Sequence, residues 1–436
     1  MARSIAYREI SGRIRAPASK SSMQRAVACA LLAEGESILR RPSRSADCLA
    51  ALAVARALGA IVEDRGEAIA VSGVGDHVGA RVDAGGTAPT TSRKLNCGES
   101  GLCIRMFSPV AALFEGETEL AAEGSLRSRP VGMIAGPLVE LGAECATAGG
   151  LPPVSVRGPL RGGSAKVDGH ESSQFLTGLL IALPMAGSDS VLEVEGLASR
   201  GYVDLSLDTM RAFGVAAKRD ADFRLFRVPG GQRYRPADFT VEGDWSGAAF
   251  LLVAAALAAG TAPLVIDGLD TASSQPDRAM LDALRAAGAE IASSTAASII
   301  VRHRRLIGFD FDATDCPDLF PPLVALAAAC EGQSRLRGAL RLKGKESDRA
   351  VALCEEFAAL GAEVTVEGDL MTVRGCGLDR GGRLSGGIVD SRGDHRIAMA
   401  AAVAALACSA PVEITGSECV AKSWPSFFED LASIAT

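Results

Sequence analysis

Six short polar clusters carry the chemistry this 436-residue chain could perform: ASKSSMQR (18–25), GESGLCIR (98–105), HESSQF (170–175), GDWSGAAF (243–250), DCPDLF (315–320) and SRGDHR (391–396). Each stands just ahead of an apolar stretch, where Ser, Asp and Gly act as helix N-caps. A helix N-terminus presents unpaired N–H groups and the positive end of the helix dipole, so it attracts anions. Lys20, Arg25, Arg105 and Arg396 lie inside these clusters, and Lys345 and Arg349 lie in the basic turn RLKGKESDR (341–349). Charge-assisted hydrogen bonds from such groups are worth about 1.5–3 kcal/mol each. Taken singly, a polar residue at a helix start is more often a cap, and a basic turn is more often a solvated surface. Recurrence at one position of a repeat favours a site for small, multiply anionic ligands.

The elements that must position these groups form an internal repeat. An apolar stretch, a Gly or Ser turn and an alternating strand pattern occur at 25–40, 103–120, 174–194, 247–266, 319–337 and 395–414. The spacing is roughly 70–80 residues, long enough for one supersecondary unit per copy. A second signature, a helix closed by Gly and followed by strand, turn and strand, occurs at 55–73, 138–158, 210–228, 284–301 and 357–375. Gly after a helix is the expected cap, and Glu-Gly-Asp at 367–369 suits a tight hairpin. The unit therefore reads as an α/β pattern, and six units suggest two domains of three. A solenoid is the alternative, with shorter periods of roughly 20–50 residues.

Composition narrows the class. Hydrophobic residues make up 48% and aromatics only 4%, so Ala, Leu, Val and Ile must build the core. A net charge of -7 excludes a general nucleic-acid binder, which needs a basic face. The 11 cysteines contain no CxxC pair and read as reduced thiols. The four histidines, at 77, 170, 303 and 395, have no metal-ligand spacing, so no metal is expected. The N-terminus lacks the apolar core of a signal peptide, and the apolar runs 247–259 and 397–408 are too short to span a bilayer. The expectation is a cytoplasmic protein.

Eight motifs resemble the 5-enolpyruvylshikimate-3-phosphate synthase family, in order and nearly end to end. They are PASKSSMQR (17–25), RSRPVG (127–132), DGHESSQFLTGLL (168–180), SRGYVD (199–204), CPDLFP (316–321), KESDR (345–349), DHR (394–396) and AKSWPSFF (421–428). The resemblance implies a two-domain, inside-out α/β fold, each domain made of three βαβαββ units about a pseudo-threefold axis. It implies one domain at 19–240, a second at 1–18 plus 241–436, and an active site in the cleft. The implied reaction moves the enolpyruvyl group of phosphoenolpyruvate to the 5-hydroxyl of shikimate 3-phosphate, on the route to chorismate and aromatic amino acids. No cofactor is implied, a monomer is expected, and glyphosate would compete with phosphoenolpyruvate.

Roles carry over by position as implications of the resemblance. Lys20, Gly101, Arg129, Gln174, Arg349, Arg396 and Lys422 would bind phosphoenolpyruvate. Lys20, Ser21, Arg25, Ser172, Ser173, Gln174, Ser199, Tyr202, Asp318 and Lys345 would bind shikimate 3-phosphate. Asp318, with Lys345 beside it, would take the proton of the attacking hydroxyl, and Glu346 would protonate the methylene carbon; Lys20 joins them as a catalytic cation.

The chain departs from the family where ESGLCIR (99–105) replaces N-A-G-T-A-M-R. Glu99 takes the place of an amide, and a carboxylate beside a phosphate site is unfavourable unless it is paired. Two rivals stay open at this point. The sister transferase acting on UDP-N-acetylglucosamine shares the chemistry, although the loop AEGSLRSRP (122–130) lacks its cysteine. A catalytically dead anion-binding module is the other.

Overall fold

The structure, a computed structural model, describes residues 2–6, 8–75, 92–170, 172–295 and 297–436, without the side chains of 259–261, 293 and 294. His77, and Glu171 of the third polar cluster, lie outside the described residues. The chain divides into two compact units, Met1–Ser19 with Glu242–Thr436, and Lys20–Val241.

The six apolar stretches form helices Lys20–Leu32, Gly101–Ala111, Gln174–Ala182, Trp245–Ala258, Phe320–Ala329 and His395–Ala404. A helix apolar on all sides is stable only when buried on all sides. Trp245–Ala258 meets that condition, with every residue buried. Small residues let such helices approach closely. A Cβ on Gly178 would fall 2.6 Å from the Met106 carbonyl oxygen, so helices Gln174–Ala182 and Gly101–Ala111 pack nearly backbone to backbone.

The described residues form six sheets, and five of them have four strands and one plan. In one of them Arg93–Asn96 runs parallel to Glu117–Ala121, which pairs antiparallel with Leu151–Arg157, which pairs antiparallel with Glu144–Ala148. A parallel pair needs a crossover, and the buried helix Gly101–Ala111 supplies it. The last two strands are the hairpin read from the second signature. The glycine closing the helix ahead of each hairpin takes positive φ, as at Gly59 (109°) and Gly361 (82°).

The sixth sheet has three strands. Gly387–Asp390 runs parallel to Val412–Thr415, and the N-terminal strand Ala2–Ile5 pairs antiparallel where the others have a hairpin. Two more strands pair far from their neighbours in sequence. Asp238–Thr240 runs parallel to Glu34–Arg40, and Ile10–Arg15 runs parallel to Ala259–Asp267. The strand preceding helix Lys20–Leu32 therefore belongs to a sheet of the other unit, and so does the strand preceding Trp245–Ala258.

All eleven cysteines are free thiols. Among the described residues no helix is long and apolar enough to cross a membrane, and no group of three or more His, Cys, Asp or Glu could hold a metal ion.

Candidate active site

In the unit Lys20–Val241 the predicted residues gather at the starts of its central helices. Lys20 opens helix Lys20–Leu32, and its ammonium pairs with Asp47 at 2.8 Å, both side chains being largely buried. Ser21 gives its carbonyl to Arg25 Nη1 at 2.8 Å. Arg25 is 1% exposed and acts as a brace across three helices. Its Nε donates to Ser206 Oγ at 2.8 Å, and its Nη2 donates to Thr177 Oγ1 at 3.3 Å and to the Tyr202 carbonyl at 3.1 Å. The guanidinium also lies 5.8 Å from the Tyr202 ring centre. Most of its donors are thus spent on protein groups.

Ser172 and Ser173 precede helix Gln174–Ala182, with Ser172 Oγ accepting from the Gln174 N–H at 3.1 Å. Gln174 Oε1 accepts from Arg105 Nη1 at 2.8 Å, which orients the amide. Ser199 caps helix Arg200–Ala212 in the left-handed region, φ 58° and ψ 46°. A non-glycine residue held there stores strain, and such strain concentrates at ligand sites. Gly101 opens helix Gly101–Ala111 under two guanidiniums. A Cβ there would lie 2.9 Å from Arg105 Nη1 and 3.0 Å from both terminal nitrogens of Arg129. Only glycine leaves that space open.

Glu99 stands at this helix start. Its Oε2 accepts from the Ser125 N–H at 3.1 Å and from Ser125 Oγ at 2.9 Å. The carboxylate questioned on sequence grounds is engaged with the loop that leads to Arg129.

In the other unit the predicted groups form an ion cluster. Asp318 sits in the 3-10 turn Pro317–Leu319 ahead of helix Phe320–Ala329. Around its carboxylate stand Arg349 Nη1 at 2.7 Å, Arg396 Nη2 at 3.0 Å and Lys345 Nζ at 3.5 Å. Burial pushes the Asp318 carboxyl up, but Arg396, Lys345 and Arg349 outweigh it and hold the group well below the usual range. Arg349 opens helix Arg349–Ala359 and is 1% exposed. It also binds Glu346 Oε2 and Asp394 Oδ2, each at 2.7 Å. Burial alone would lower its basicity, but Asp394, Glu346 and Asp318 raise it, so it stays a cation.

Glu346 Oε1 faces Lys422 Nζ at 3.4 Å. Arg396, in the first turn of helix His395–Ala404, donates through Nη1 to Ser246 Oγ at 2.6 Å. Asp394 caps the same helix by accepting from the Arg396 N–H at 3.0 Å, and also accepts from Ser347 Oγ at 3.1 Å.

The structure thus brings Asp318, Lys345, Glu346, Arg349, Arg396 and Lys422 into one network. Sequence reasoning assigned no role to Asp47, Asp394 or Ser246. Asp394 stands in the quoted DHR motif, and its place beside a basic helix start was a usable signal. Asp47 carries none, because nothing local ties it to Lys20, 27 positions away.

Comparison with known proteins decides the family of the chain. The family model for EPSP synthase (3-phosphoshikimate 1-carboxyvinyltransferase) matches residues 6–431. The chain belongs to the EPSP synthase family. It is 40% identical over 425 residues to the 3-phosphoshikimate 1-carboxyvinyltransferase of Aeropyrum pernix, covering 98% of this chain and 93% of that one. It is also 40% identical over 434 residues to the one of Halobacterium salinarum, covering 98% and 96%. The solved EPSP synthase of Acinetobacter baumannii superposes with a TM-score of 0.82 at 28% identity, over 100% of this chain and 98% of that one. The enolpyruvyl transferase NikO of Streptomyces tendae, at 18% identity and a TM-score of 0.75 over 99% and 97% of the two chains, shares the fold. Membership of the EPSP synthase family decides between the two transferases left open by the sequence.

Proposed function

We propose a division of labour for the enolpyruvyl transfer of this family, from phosphoenolpyruvate to shikimate 3-phosphate. The observation that carries it is the four-cation surround of Asp318 and Glu346. The unit Lys20–Val241 holds most of shikimate 3-phosphate: Ser172, Ser173 and Ser199 take its phosphate, while Ser21, Arg25, Gln174 and Tyr202 hold the ring. Lys20, Arg129, Arg349, Arg396 and Lys422 take the phosphate and carboxylate of phosphoenolpyruvate, with Gly101 leaving room and Gln174 contributing its amide.

Asp318 then accepts the proton of the 5-hydroxyl, with Lys345 beside it. The oxygen adds to C2 of phosphoenolpyruvate while Glu346 gives a proton to the methylene carbon. Loss of a methyl proton and expulsion of phosphate complete the transfer. Asp318 as it stands is a weak base, because three cations stabilise its charge. Anionic substrates that engage Arg349, Arg396 and Lys345 weaken this hold and raise its basicity toward the working range. The same cations stabilise phosphate as it leaves. We read the chain as a cytoplasmic monomer, as its resemblance to the family implies.

The test is phosphate release by the purified chain. Release is expected only with phosphoenolpyruvate and shikimate 3-phosphate together. Turnover of UDP-N-acetylglucosamine in place of shikimate 3-phosphate overturns the proposal.

A further inference from the structure

The segment that carries Arg129 is tied on both sides to residues 96–105, the end of strand Arg93–Asn96 and the start of helix Gly101–Ala111. On its N-terminal side the loop is tied by four hydrogen bonds. The Glu123 N–H donates to the Gly98 carbonyl at 2.8 Å. Asn96 Nδ2 donates to Glu123 Oε1 at 2.7 Å. The Ser125 N–H and hydroxyl both donate to Glu99 Oε2, at 3.1 and 2.9 Å. On the C-terminal side Arg105 Nη2 donates to the Pro130 carbonyl at 2.7 Å. Between these ties runs the short 3-10 turn Gly124–Ser128, anchored by the fully buried Leu126. Arg129 follows it, with its guanidinium packed over Gly101.

The Glu99 side chain lies flat against Gly124. A Cβ on Gly124 would fall 2.3 Å from Glu99 Cδ, and Gly124 is at φ 47°. Carboxylate, glycine and serine are therefore fitted to one another. An asparagine at position 99 is one methylene shorter and would not span to both Ser125 donors without moving the loop.

We infer that Glu99 is a positioning residue: it clasps the loop 123–128 through Ser125 and so sets the guanidinium of Arg129 over Gly101. This rests on the reading that Arg129 binds phosphoenolpyruvate. The inference reverses the electrostatic expectation. If Glu99 acted by repelling an anion, removing its charge would tighten phosphoenolpyruvate. If it acts as a clasp, removal weakens phosphoenolpyruvate and leaves shikimate 3-phosphate alone.

The experiment measures KM for each substrate, kcat and Tm for Glu99→Ala, Glu99→Asn and Ser125→Ala, alone and in an Arg129→Lys background. Parent turnover is measured first, since its absence refutes the function and not the clasp. The expected result is a KM for phosphoenolpyruvate raised roughly tenfold by Glu99→Ala and Glu99→Asn, and less by Ser125→Ala, at unchanged KM for shikimate 3-phosphate. In the Arg129→Lys background the same substitutions should have little further effect, because coupled residues are not additive. Tighter phosphoenolpyruvate, or an equal penalty in both backgrounds, overturns the inference. Should both Glu99 variants fail to fold, Ser125→Ala decides by the same pattern.

Discussion

The two units hold their cations by opposite designs. In Lys20–Val241 Lys20 is paired with Asp47, but the two arginines described above are braced by neutral groups: Arg25 by hydroxyls and carbonyls, Arg105 by an amide and a carbonyl. In Glu242–Thr436 they are balanced by carboxylates, with Asp318, Glu346 and Asp394 all on Arg349. Neutral braces hold a cation in place without cancelling its charge, which is what the anion sites proposed for that unit need. Carboxylates cancel the charge, so a ligand of the proposed site would have to displace them. The second design also supplies the two carboxylates proposed above to move protons. In that proposal binding and proton transfer draw on different local physics.

The largest break in this comparison is expected at Arg349. Arg349→Leu leaves three buried or half-buried carboxylates short of a partner and should destabilise its unit by about 3–5 kcal/mol. Arg25→Leu, which takes a donor from Ser206 and Thr177 hydroxyls and from the Ser21 and Tyr202 carbonyls, should cost less. Denaturant unfolding of both variants checks the order. The acid side sharpens the result. Because the native Asp318 carboxyl is held below its usual value, it stabilises the fold at neutral pH, and that contribution is lost as pH falls through its depressed value. With Arg349 gone the carboxyl rises back toward normal, so this acid-dependent contribution should be smaller than in the parent and its loss should be complete at higher pH.

Next in size is Glu346→Gln. Turnover should fall by about 10²–10⁴-fold, the range for general acid–base catalysis, with shikimate 3-phosphate affinity little changed. An equal fall in affinity would make Glu346 a partner of Arg349 and Lys422 and nothing more.

The smallest effect concerns strain in the first design. Ser199→Gly places at φ 58° the residue that tolerates it best, and should stabilise the protein by up to about 1 kcal/mol. Shikimate 3-phosphate should bind more weakly for want of the hydroxyl. Calorimetry with and without that ligand reads both changes, and a variant that is less stable and binds equally well would remove Ser199 from the site.

The sequence by itself determined the six central helices, the hairpins and their glycine caps, because these depend on apolar runs and turn residues within about twenty positions. It also determined which types of group stand at each helix start. Pairing at a distance was left to the tertiary structure. Asp238–Thr240 lies beside Glu34–Arg40, and Ala2–Ile5 fills the place of a missing hairpin, since a short strand bears no mark of its partner. The same holds for Asp47 beside Lys20 and Ser125 beside Glu99. A carboxylate reads alike in the sequence whether it repels a substrate or clasps a loop; the charges and donors that the fold brings within about 3 Å decide which.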